Sequence, residues 1–178
     1  MTKEHKKFLK IQVLLSLVIN FLGNGAIAYF TNTKKAYELI SKQQNFIDIF
    51  FDIAITAIIL AWLIAWSVNA GVKDKKLYAS LERNTKFKEK VGDFFRWPAT
   101  YGWILCIGIV PIFYGISLLI FTLTGFEHFT LWTYTIYKAS YAGLMGALFS
   151  FLFILTAFHG NPKNIDIKKK KKSKAIKE

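Results

Sequence analysis

The sequence predicts an all-α polytopic membrane protein with four transmembrane helices. Three observations predict it. Four apolar runs, residues 11–30, 46–68, 99–124 and 131–158, each reach the about 20 residues a helix needs to cross roughly 30 Å of hydrocarbon. None carries the polar face that runs the length of a soluble core helix. The 24 Lys and Arg of the 178 residues gather on alternate connections. Only helices and closed barrels satisfy their backbone in lipid, and these runs are too long and continuous for barrel strands.

The charge distribution predicts orientation. Lys3, Lys6, Lys7 and Lys10 precede the first run, eight Lys and Arg lie between Lys73 and Arg96, and eight more between Lys163 and Lys177. Opposite them stand only Lys34, Lys35, Lys42 and Lys138. Positive charge stays on the cytoplasmic side, so both termini are expected there, in a cytoplasmic (inner) membrane. The net charge of +13 is then a topology signal. Nucleic acid is excluded as a partner because these charges are tethered at a bilayer surface.

Residues 1–160 are read as one transmembrane domain and 161–178 as a disordered, Lys-rich cytoplasmic tail. The first helix follows a basic start, and Ala26-Ile27-Ala28 imitates a signal-peptide cleavage site. The run is long, however, and broken by Asn20, Gly23 and Asn24, so it is read as a retained span. The second helix opens at Phe46 and carries Trp62 and Trp66 toward its cytoplasmic end, where indoles favour the interface.

Between the second and third helices, Leu77, Leu81, Phe87, Val91, Phe94 and Phe95 recur at helical intervals among lysines. That pattern predicts one or two short amphipathic helices on the cytoplasmic surface. Trp97-Pro98 marks entry into the third helix, since proline suits a first turn. Pro111 predicts a mid-span kink, read as shape rather than hinge. In the fourth helix, Ala139, Gly143 and Ala147, with Gly146 nearby, form a small-residue stripe read as a packing seam within the bundle. In the tail, Lys168, Lys169, Lys170, Lys171 and Lys172 are expected to draw to anionic lipid headgroups.

Asp52 stands out because a carboxylate at membrane depth is costly without a partner or water. Asp48, Asp52 and Thr56 share one stripe of the second helix, and Gln12, Ser16, Asn20 and Asn24 share one of the first. Counting from the outer boundary, Asn24, Asp52 and Lys138 each lie about 9 Å deep. The simplest arrangement is an Asp52–Lys138 pair braced by amides. Two readings stay open. The cluster is either an interhelical clamp or a water-accessible site, with Asp52 binding a cation or proton, Asp48 at its mouth and Asn20, Asn24 and Thr56 beside it.

Catalysis finds no support. There is no nucleophile elbow, no paired His and carboxylate and no phosphate-cradling loop, and Glu127 and His128 read as ordinary surface residues. His5, His128 and His159 lack metal-ligand spacing, and the single Cys106 has no disulfide partner. Neither enzyme activity, metal nor cofactor is expected.

Asn20-Phe21-Leu22-Gly23-Asn24-Gly25-Ala26-Ile27-Ala28-Tyr29, Asp52-Ile53-Ala54-Ile55-Thr56 and Lys138-Ala139-Ser140-Tyr141-Ala142-Gly143 carry a resemblance to a group of small four-helix bacterial membrane proteins, loosely called permease-like. The resemblance implies an inner-membrane location and four helices. It implies no substrate.

The expected function is transport or permeation of a small ion or polar solute. Asp52 is the cation or proton site and Lys138 its counter-charge. Four helices are thin for a complete path, which favours a homo-oligomer. The alternative is a non-transporting subunit, sensor or scaffold whose basic cytoplasmic face docks a protein partner or anionic lipid.

Overall fold

The computed structural model describes residues 2–32, 42–74, 98–125 and 129–159, and every element among them is helical. The helices are α1 (Lys3–Asn32), α2 (Lys42–Asp74), α3 (Pro98–Thr124) and α4 (Leu131–His159). All four are long and apolar enough to cross a membrane. The amphipathic segment expected within 75–97, the residues Glu127 and His128, and the Lys168–Lys172 tail lie outside the described residues.

Local chemistry sets the ends. Thr2 begins α1 ahead of its apolar run: its Oγ1 accepts the His5 backbone N–H at 3.3 Å and bonds His5 Nδ1 at 2.5 Å. Thr130 and Thr133 cap α4 reciprocally. Thr130 Oγ1 accepts the Thr133 N–H at 3.2 Å, and Thr133 Oγ1 accepts the Thr130 N–H at 2.7 Å. Gly125, at φ +61°, takes the left-handed turn that ends α3. Proline opens α3 as expected, and the helix runs on through Pro111.

α4 is the centre of the bundle. Of its apolar stretch 67 % is buried inside the protein, against 11 % for α1. α1 packs along α4, α2 packs on both α4 and α3, and the order across the bundle is α1, α4, α2, α3. The two sequence hairpins therefore interlock instead of forming separate units.

α1 and α4 run antiparallel. Tyr29 packs at a tilt on Trp132 at one end and His5 meets Phe158 edge-on at the other. The small-residue stripe lies in this seam, as expected. A Cβ on Gly25 would sit 3.1 Å from Ala139 Cβ, and one on Gly143 would meet the Leu17 carbonyl and Phe21 Cβ at 3.1 Å. The third small position in use is Gly146, whose empty side faces Asn20, while Ala147 is half-buried.

Around and beyond the polar level α2 and α4 share an apolar core, with Ile53, Ala57, Leu60 and Ala61 on α2 and Ala142, Met145 and Phe149 on α4. Large apolar side chains cover the outside of all four helices, among them Ile19, Leu63, Ile107, Leu123 and Leu144. An exterior this apolar fits contact with lipid rather than water. Exposed Trp62, Trp66 and Trp103 lie toward one end of the bundle and Trp132 at the other, where indoles meet the two interfaces.

Candidate functional site

The α2 stripe divides. Asp48 is exposed, whereas Asp52 and Thr56, each a turn further on, face α4. On α4, Tyr134, Lys138 and Tyr141 recur at helical spacing and share the face toward α2. Lys138 Nζ donates to Asp52 Oδ1 as an ion pair. Tyr141 OH donates to Asp52 Oδ2, and Tyr134 OH donates to the same oxygen at 3.2 Å. Thr56 Oγ1 lies 3.3 Å from Tyr141 OH. Tyr141 has already given its one proton to Asp52, so in this bond Thr56 is the donor.

Opposite charges within bonding distance offset each other's desolvation, so the pair persists where either charge alone is costly. It is not sealed, since the Lys138 side chain is 15 % exposed and that of Asp52 25 %. The Lys138 ammonium also lies 5.9 Å from the centre of the Tyr134 ring, within reach of its negative face. Aromatic rings back the cluster. Tyr137 packs on Tyr141 at 5.1 Å and donates to Ser117 Oγ of α3 at 2.9 Å, and Phe129 meets Tyr134 edge-on at 5.7 Å.

The expected depth match holds. Gly25 beside Ala139 sets Asn24 level with Lys138, and Lys138 is bonded to Asp52. The expected amide bracing does not form, because the α1 amides spend their donors elsewhere. Asn24 Nδ2 donates to the Asn20 carbonyl at 3.0 Å. Asn20 Nδ2 donates to the Ser16 carbonyl at 2.7 Å and to Ser16 Oγ at 3.0 Å. Ser16 Oγ in turn donates to the Gly146 carbonyl at 2.9 Å, joining α1 to α4. The bracing groups are Tyr134 and Tyr141. Tyr134 escaped the sequence reading, although it lies one turn before Lys138 on the same face.

Thr135 Oγ1, on α4, is buried with no hydrogen-bond partner among the described residues. Cys106 is buried within α3. No three His, Cys, Asp or Glu side chains converge to hold a metal among the described residues.

Compared with protein-family models, curated proteins and solved structures, the chain matches none. The cluster offers a carboxylate, an ammonium and three hydroxyls, held between two apolar spans.

Proposed function

We propose that the protein is a permease-type protein of the cytoplasmic membrane that moves a small ion or polar solute, with Asp52 as the exchanging group. Lys138 is its counter-charge, and Tyr134, Tyr141 and Thr56 tune the carboxylate. The observation that carries this reading is the partly open Asp52–Lys138 pair within an apolar span. A charge retained at such a position in a membrane helix is a functional site by default.

The positive-inside bias supports two cytoplasmic termini. Lys168–Lys172 would then meet anionic headgroups of the inner leaflet. Four helices enclose little room, so the reading includes a homo-oligomer. The polar groups of α1, Asn24, Asn20 and Ser16, continue along another face of α4 toward the opposite end. They are the natural second half of a path.

One observation favours a second reading. Among the described residues every group bonded to Asp52 sits on α4, the arrangement of a clamp in a non-transporting subunit. Reconstitution separates the two. Transport predicts solute flux into liposomes that Asp52→Asn abolishes while expression and folding survive. Flux absent from the parent protein, or unchanged in the variant, supports the clamp.

A further inference from the structure

Both oxygens of Asp52 already accept hydrogen bonds, three in all: Oδ1 from Lys138, Oδ2 from Tyr134 and Tyr141. Every donor aims its proton at the carboxylate. A metal cation binds oxygen lone pairs and needs several of them turned toward it. Here the two phenols turn their protons to the carboxylate, Thr56 turns its own to Tyr141, and an ammonium stands where a cation would approach. Ala57, Leu60 and Met145, buried in the core beyond Thr56, offer no oxygen ligands to a metal cation.

We propose that the ion taken by this site is the proton, delivered to Asp52 through a relay of hydroxyl groups. The proposal rests on the transport reading above and narrows it to one species. The relay has two arms that converge on Asp52 Oδ2. One is Tyr134, at 3.2 Å. The other is Thr56 donating to Tyr141, at 3.3 Å, with Tyr141 donating to Asp52.

The proton balance is simple. A proton arriving at the Tyr134 oxygen binds there as the Tyr134 O–H proton passes to Asp52 Oδ2. Tyr134 is left a neutral phenol, and Asp52 becomes a neutral carboxylic acid. On the other arm an arriving proton binds Thr56, the Thr56 proton passes to Tyr141, and the Tyr141 proton passes to Asp52. In either case the cluster gains one positive charge, and Lys138 loses its counter-ion. Proton uptake is thereby coupled to release of the ion pair that joins α2 to α4.

The charged and titratable neighbours fit this role. α4 contributes Lys138, Tyr134, Tyr137 and Tyr141, α2 contributes exposed Asp48 one turn away, and α3 contributes Tyr114, packed on Phe50 at 5.3 Å. Among the described residues the far half of α1 contributes Tyr29, packed on Trp132. Among the described residues Lys138 is the one cation of this group.

The test is the full chain in sealed proteoliposomes carrying an internal pH dye, with the membrane potential clamped by valinomycin and potassium. An imposed pH gradient should collapse faster than in protein-free vesicles, equally in sodium and in choline media. Tyr141→Phe keeps the ring and removes one relay hydroxyl, and should slow the collapse several-fold. Asp52→Asn should abolish it. If the protein instead carries sodium, potassium or an organic cation without protons, in an Asp52-dependent way, the proton assignment falls and the transport reading stands. If nothing moves, both fall. Should Asp52→Asn not fold, the double variant Tyr134→Phe with Tyr141→Phe decides, since it removes both arms, and a rate equal to the parent's overturns the relay.

Discussion

The Asn20 carboxamide occupies the space that a side chain at Gly146 would need: a Cβ there would sit 3.0 Å from Asn20 Cγ and 3.1 Å from its Cβ. The missing side chain lets α1 approach α4 closely enough for Ser16 to reach the Gly146 carbonyl at 2.9 Å. A polar side chain, a glycine and an interhelical hydrogen bond thus form one contact. Gly146→Ala should cost about 1–3 kcal/mol, the usual range for overpacking. Glycines that face open space, Gly108 and Gly115, provide the control. Alanine there should be neutral or gain about 1 kcal/mol in helix propensity. Thermal unfolding in mild detergent separates the two classes.

Thr135 makes the opposite prediction. Its buried hydroxyl has no partner among the described residues, so Thr135→Val removes an unmet polar group while keeping the shape. The variant should be as stable as the parent, or more stable by about 1 kcal/mol. A loss of that size would show that the hydroxyl has a partner after all.

Removing Tyr141 OH separates stability from function. Single interhelical hydrogen bonds in membranes are worth on average about 0.6 kcal/mol, so Tyr141→Phe should unfold within a few degrees of the parent. Its proton flux should nonetheless fall several-fold. A variant that loses flux only in proportion to folded protein would assign Tyr141 to packing.

The four spans and the Asp52–Lys138 pairing were legible in the sequence. Helix rise fixes how deep a residue lies, and a charge in hydrocarbon must find an opposite charge at its own depth. The placement of α4 at the centre was not legible, because all four helices are apolar around most of their circumference and no face announces its neighbour. Side-chain direction was also hidden. Asn24 lies at the expected level, but its amide turns back to the Asn20 carbonyl. Tyr134 and Tyr141 take the bracing role because their hydroxyls reach the carboxylate across the interface between α2 and α4.

Orientation has its own test. Cys106 is buried, so engineered cysteines can report on a low background. Cysteines at Lys6 and at Lys174 should both react with a membrane-impermeant thiol reagent only after cells are opened. One at Glu127 should react in intact cells. The reverse pattern would invert the topology.

The central claim is that Asp52 and Lys138 are kept for ion movement and not for the fold. The measurement that tests it most directly is flux and thermal stability, side by side, on Asp52→Asn, Lys138→Met and the double variant. In Asp52→Asn the phenols still hold residue 52, so we expect about 1–2 kcal/mol of lost stability, below the 3–5 kcal/mol of a fully buried broken pair. We expect flux to fall at least tenfold in that variant, and the double variant to regain stability but not flux. A loss of several kcal/mol in each single variant, recovered in the double together with unchanged flux per folded protein, would contradict the claim and make the pair a structural clamp.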